Sequence, residues 1–413
     1  MRGTVVSAGS GRRITPKSVD QLRDVVAACD RTREAVAIEG GNTLRGMGLP
    51  PARADVTVVT TALDAVLEHE YRDLTCAVQA GITLASLAES LAARGQYVPI
   101  DAPFARKATV GGTLAAGWLG PRRHLLGRAR DYVIGSHVVL ADGTLAKAGG
   151  MVVKNVSGYD MSKLYVGSFG TLGTLVRVNF KTLPLPQRRR AFVAKLPEGT
   201  RSRAIAQIAE LAIAPAAAFC VEGYRKAIDG EDGTDGRLFV LLEGSSTLIE
   251  RATRDLRSAL GKAGVPETTI LDAGAREAFE RVLDATVACI SDRSVTYHAL
   301  GSPERIAVRS IAMRDLAHRH ELFTDVLADV MNGDTILRVS RRDARAFSAS
   351  VEIFDDELHA IEPRATIVAG DSPVRSSLLV WGQLPSGLAK MREIKARFDP
   401  NRTLNPGRFV GGI

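Results

Sequence analysis

Behind Ser18, apolar residues recur at three- and four-residue steps as Leu22, Val25, Val26 and Cys29. That spacing predicts an amphipathic helix with the serine as its N-cap and Gln21 completing a capping box. The apolar run 35–38 predicts a strand that leads straight into Glu39-Gly40-Gly41-Asn42-Thr43. Residues 56–60 and 75–79 read as further strands, and 84–94 as a helix. Residues 134–140 read as a strand that Asp142-Gly143 turns into the next. Another strand, 176–182, is closed off by Leu183-Pro184-Leu185-Pro186.

The proline pair, followed by Gln187-Arg188-Arg189-Arg190, reads as a domain boundary. Beyond it the pattern changes to strands (219–224, 238–243, 295–300) alternating with longer helices (245–263, 273–290, 303–320). Ser302 is the expected cap of the last helix, with Pro303 in its first turn. The fold class is α+β. The expected division is a first domain over 1–187, a second over 188–392 and a tail over 393–413.

At 413 residues, two domains are the natural expectation for one chain. Apolar residues make up 45% and charged residues 24%, as in ordinary globular proteins. The apolar runs are short and glycine-broken, too short for the roughly 20 residues that span a bilayer. The N-terminus lacks the apolar core of a signal peptide, so a cytoplasmic location is expected. Cys29, Cys76, Cys220 and Cys289 lie far apart without a C-x-x-C pair, which excludes an iron–sulfur cluster of the usual spacing. They read as reduced core residues. The net charge of +8 would suit nucleic acid, but aromatics are only 5% and the arginines are dispersed. A basic surface facing an anionic substrate or an acidic partner fits better.

The chemistry concentrates in three glycine-rich loops. In the first, Gly40, Gly41, Asn42 and Thr43, successive amides can converge on a pyrophosphate, and bare backbone lets its oxygens approach. The spacing is not G-x-G-x-x-G, which disfavours a dinucleotide fold of the Rossmann type. In the second, Thr109, Gly111, Gly112, Thr113 and Gly117 read either as another anion-binding wall or as a glycine-softened helix start. In the third, Gly170 and Gly173 lead into a strand that includes Val176 and whose backbone suits an adenine edge. Between the second and third loops lies Lys154-Asn155-Val156-Ser157-Gly158-Tyr159-Asp160.

In this succession the chain resembles the vanillyl-alcohol-oxidase/p-cresol-methylhydroxylase family of flavoproteins over essentially its whole length. Gly120-Pro121-Arg122-Arg123, Arg130-Asp131-Tyr132-Val133-Ile134-Gly135, the Lys154–Asp160 motif and Asn405-Pro406-Gly407 are most similar to the FAD-binding subunits of bacterial glycolate oxidases. The resemblance implies a two-part FAD-binding domain of the p-cresol-methylhydroxylase (PCMH) type. It also implies an α+β cap with an antiparallel sheet flanked by helices, and a tail that returns to the flavin through Asn405. On the matching positions, Gly40 to Thr43 would hold the pyrophosphate. Thr109, Gly111, Gly112, Thr113 and Gly117 would line the diphosphate and ribityl region, and Gly170, Gly173 and Val176 the adenine side. Many relatives attach FAD through a histidine just after the first glycine pair. Asn42 stands there instead, so FAD is expected to be non-covalent, with His124 the stray alternative. Gly41→Val is expected to remove FAD and leave a folded apoprotein.

Oxidising a 2-hydroxy acid further requires a cation for the carboxylate, a base for the hydroxyl proton, and the α-hydrogen facing flavin N5. Arg122, Lys154 and Tyr159 are the candidates. Relatives that use such acids carry a metal-binding H-x-G-D-G-N motif, whose counterpart here, Val368-Ala369-Gly370-Asp371-Ser372, has no histidine. His318 and His320 stand two apart on a helix, a poor ligand pair, so no metal is expected. The resemblance therefore implies a flavin subunit of a glycolate- or D-lactate-oxidising complex. Its expected partners are a sister flavin subunit and an iron–sulfur subunit, with any membrane contact made through them. A self-sufficient FAD-dependent dehydrogenase of another small hydroxy acid or alcohol is the alternative.

Overall fold

The computed structural model describes residues 11–152, 159–197, 199–224, 228, 236–265, 268–288 and 293–413. The chain divides into two units. The first comprises Met1–Gly120, Arg128–Leu185 and Leu384–Ile413, the second Pro121–Gly127 and Pro186–Gln383. The expected breaks at 187/188 and 392/393 stand beside observed ones at 185/186 and 383/384.

The first unit holds two principal sheets. A three-stranded parallel sheet is centred on Val56–Val59, between Arg12–Ile14 and Val36–Glu39. Helix Val19–Thr32 covers it, burying Leu22, Val26 and Cys29. Ser18 caps this helix by accepting from the Gln21 amide, but the capping box does not close on Ser18: Gln21 Oε1 accepts from the Lys17 amide at 2.8 Å. A five-stranded antiparallel sheet runs in the order Val66–Glu70, Thr75–Gln79, Thr174–Lys181, Val133–Val139, Leu145–Gly149. Val139 and Val176 from this sheet join Val36, Val56, Val58 and Leu404 in one core. Leu404 also bridges Val36 in parallel, so the C-terminal segment is built into the first unit.

The second unit is an eight-stranded antiparallel sheet. Its order is Thr268–Leu271, Arg188–Lys195, Arg237–Gly244, Ala217–Glu222, Phe323–Asp329, Thr335–Ser340, Ser294–Ala299, Thr366–Gly370. Successive strand residues point to opposite faces. Phe192, Cys220, Leu238 and Val240 pack with Ile205, Ile249 and Leu256, whereas Val193, Phe219, Phe239 and Leu241 pack with Phe279 and Val282. Burial on both faces explains why these strands read as continuous apolar runs.

Strand Arg188–Lys195 begins inside the arginine run that reads as a domain boundary. Its side chains alternate: Arg190 bonds Asp272 at 2.6 Å, Arg188 bonds Glu250 at 3.0 Å, and Arg189 bonds Glu243 at 2.6 Å. Asp329 is buried in the turn before Thr335–Ser340, accepting from the amides of Met331 and Asn332. Burial pushes its carboxyl up from 3.8 to about 7, against the hydrogen bond from Asn332. A carboxyl raised in the native state binds more protons there than in the unfolded chain, so stability falls as pH rises across that window. Asp329→Asn keeps an oxygen for the two amides and is expected to flatten the decline, as read by denaturant unfolding across that range.

Candidate functional site

Strand Val36–Glu39 delivers Gly40 and Gly41 against the backbone at 107–109. A Cβ on Gly41 would lie 1.7 Å from the Lys107 carbonyl oxygen, and one on Gly40 2.2 Å from Thr109 Oγ1. Asn42 is left-handed at φ 56° and donates from Nδ2 to Glu39 Oε2 at 2.9 Å. Among the described residues, no acceptor meets the amides of Gly41, Asn42, Thr43 or Leu44. Consecutive open amides in such a turn form a concave anion cradle.

The second loop behaves differently. Helix Val110–Ala116 starts there, capped by Thr109. Its first amides are committed: Val110 to Ile82 O (2.9 Å), Gly111 to Ala80 O (2.7 Å), Gly112 to Thr109 Oγ1 (3.2 Å). Of the two readings of this stretch, the helix start is the one observed, and its amides form no second cradle. Gly111 is needed because a Cβ would lie 2.9 Å from the Ala80 Cβ. Gly112 is exposed, and a Cβ there would meet only Thr109 Oγ1, at 2.9 Å.

The third loop is held by Asn405. Its Nδ2 donates to Phe169 O at 2.7 Å, its Oδ1 accepts from the Ile38 amide at 2.9 Å, and its own amide donates to Val36 O. Phe169 and Gly170 are both left-handed. Phe169 stacks on Phe409 and lies 5.8 Å beneath the Arg408 guanidinium.

The three loops enclose a cleft of about 760 Å³, part of it open to solvent. Every expected cofactor residue lines it except Gly117 and Val176. Gly117 instead ends the helix at φ 64°, where a Cβ would lie 2.9 Å from the Gly167 Cα. Val176 is buried in the core and its carbonyl accepts from Ala80, so it presents no edge to the cleft; Thr174 and Leu175 do. The hydroxyls of Thr113 and Thr174, both cleft-lining, are buried and have no hydrogen-bond partner among the described residues. Arg45 and Arg408 also border the cleft and escaped the sequence reading, having no recognisable spacing. Arg45 is exposed and has no carboxylate within ion-pair range among the described residues. Open amides, two arginines and orphaned hydroxyls suit a large, anionic, polar cofactor.

Of the expected catalytic residues, Arg122 and Tyr159 lie among the described residues. Lys154 lies outside the described residues, as do Asn155–Gly158 of its motif. Tyr159 is 94% exposed. Arg122 belongs to the second unit, where its buried guanidinium bonds Glu243 at 2.7 Å. This corrects its reading as a free cation for a substrate carboxylate. Burial opposes the Glu243 charge, but Arg122 and Arg189 together hold its carboxyl below the usual value. Arg123 pairs with Asp334 at 2.6 Å, and His298 reaches the same oxygen at 2.9 Å. His124 engages the carbonyls of Pro121 and Pro215. His318 contacts Thr324 and His320 faces Glu357, so the pair shares no ligand position. Among the described residues, no group of three or more His, Cys, Asp or Glu could hold a metal ion, and no helix is long and apolar enough to cross a membrane. Cys29, Cys76 and Cys220 are free and buried; burial pushes the Cys76 thiol up to about 12 and Cys220 to about 11. Cys289 lies outside the described residues.

Residues 12–149 match a family model described as an FAD binding domain. Glycolate oxidase subunit GlcD of Bacillus subtilis (strain 168) is 26% identical over 418 residues, covering 96% of this chain and 88% of that one. Glycolate oxidase subunit GlcE of Escherichia coli (strain K12) is 31% identical over 239 residues, covering 58% of this chain and 63% of that one. The structure of p-cresol methylhydroxylase with substrate bound superposes with a TM-score of 0.68 at 15% identity, covering 96% of this chain and 88% of that one, which is a likeness of fold. Residues 12–149 thus form an FAD-binding domain, in a chain whose fold is like that of p-cresol methylhydroxylase.

Proposed function

We propose that this chain is the flavin-holding subunit of a 2-hydroxy-acid dehydrogenase that oxidises glycolate or D-lactate to the 2-oxo acid. The observation that carries the reading is the cleft itself: the open amides of Gly41 to Leu44 face a wall of bare backbone at Gly112 and Gly170, with Arg45 and Arg408 at its border. The amides and the two arginines take the diphosphate, and the hydroxyls of Thr113 and Thr174 find their partners in the cofactor. FAD is held non-covalently, since Asn42 offers no nucleophilic nitrogen where relatives carry a histidine.

Bound FAD supplies the two-electron acceptor for the hydride leaving the substrate α-carbon. The hydroxyl proton needs a base and the carboxylate a cation. Arg122 is already paired with Glu243, and Tyr159 stands in solvent. A sister flavin subunit and an iron–sulfur subunit would then complete the site and carry electrons onward, at the membrane face if they dock there. Purified alone with an artificial electron acceptor, the chain is expected to turn over glycolate and D-lactate at a small fraction of the rate reached with the partner subunits added. Equal rates with and without partners would favour the self-sufficient dehydrogenase.

A further inference from the structure

We propose that Lys395, which touches no part of the cleft, is the residue that sets the spacing of its walls. Helix Leu388–Phe398 carries Lys395 into the interior of the first unit, where it is 5% exposed. Its ammonium has three acceptors: the Asp399 carboxylate, Thr171 O at 2.7 Å and Leu404 O at 2.9 Å. Asp399, fully buried, in turn accepts from the amides of Thr403 and Leu404. The two carbonyls belong to different walls. Thr171 sits in the loop that presents Phe169, Gly170 and Gly173. Leu404 bridges Val36 and precedes Asn405, which fastens strand Val36–Glu39 ahead of the Gly40 loop.

One ammonium therefore joins the loop opposite the amide cradle to the strand that feeds the cradle. Lysine suits this position because a compact head with three donors satisfies three convergent acceptors. Burial works against its charge and Asp399 offsets that only in part, so the group is held for its geometry. The inference rests on the reading of the cleft as the FAD site.

The test is the double variant Lys395→Met/Asp399→Asn, which removes both charges; the asparagine oxygen meets one of the two amides, which the carboxylate accepts on separate oxygens. The dissociation constant for FAD is measured on the folded protein, well below its melting temperature, by titrating apoprotein. We expect it to rise at least tenfold, with faster amide exchange over 169–173. A role in stability alone lowers the melting temperature and leaves that constant unchanged, which would overturn the proposal. If the double variant does not fold, Lys395→Arg keeps the charge beside Asp399 with a planar head that cannot meet all three acceptors. The same rise is expected, and wild-type affinity would overturn the proposal. A wild-type chain that binds no FAD would overturn the cofactor reading along with it.

Discussion

Gly112→Leu is expected to abolish FAD binding while the protein melts within a few degrees of wild type. Gly112 lies on the exposed side of helix Val110–Ala116, facing the cleft, and the nearest atom to a new Cβ is the Thr109 hydroxyl. Replacing a helical glycine by leucine gains roughly 0.5–1 kcal/mol in backbone terms. Disturbing the Thr109 cap costs about 1 kcal/mol. The two nearly cancel, whereas a four-carbon side chain fills space that a diphosphate and ribityl chain must occupy. Visible flavin absorbance per chain, with a thermal melt, separates the effects. Gly41→Val does not make this separation, contrary to the expectation from sequence. Its Cβ would lie 1.7 Å from the Lys107 carbonyl, so backbone must move and the first unit is expected to lose stability along with its ligand.

Glu243→Ala is expected to carry the largest stability cost of a single substitution in the second unit, about 3–5 kcal/mol. The carboxylate lies between Arg122 and Arg189, its side chain and that of Arg122 each only 10% exposed. Removing it takes away the carboxylate that stands between the buried Arg122 and half-buried Arg189 guanidinium groups. The pH dependence has a definite sign. Arg122 and Arg189 outweigh burial and depress the folded-state pKa, so the stabilisation is present above the unfolded value and is lost as pH falls through the folded one. Denaturant unfolding should therefore show wild type and variant far apart at neutral pH and converging in acid.

The two substitutions also mark how far the residues could be read without coordinates. Backbone chemistry was legible: glycine pairs after apolar strands place the loops, and nearly every loop residue expected at the cofactor borders the cleft. Thr174 and Leu175 line the cleft, and Val176, one residue further along the strand, is buried in the core. The second loop stayed open between an anion-binding wall and a helix start because the acceptors of its Val110 and Gly111 amides, Ile82 and Ala80, lie about thirty residues away with no local mark. Arg122 looked free for the same reason, its partner Glu243 being distant in sequence. The run Arg188 to Arg190 reads as a domain boundary, and each of its arginines meets a carboxylate distant in sequence. Long-range ion pairs leave no period in the chain, so a sequence shows where backbone is bare but not which charges are already answered.

The central claim is a flavin held without a complete substrate site. It is tested most directly by an anaerobic visible spectrum of the purified chain before and after adding glycolate and D-lactate, with acid precipitation of the same sample. The purified protein is expected to be yellow, to release its FAD into the acid supernatant, and to keep an oxidised spectrum with either acid until partner subunits are supplied. Rapid bleaching by either acid in the isolated chain would contradict the claim and establish a self-sufficient active site.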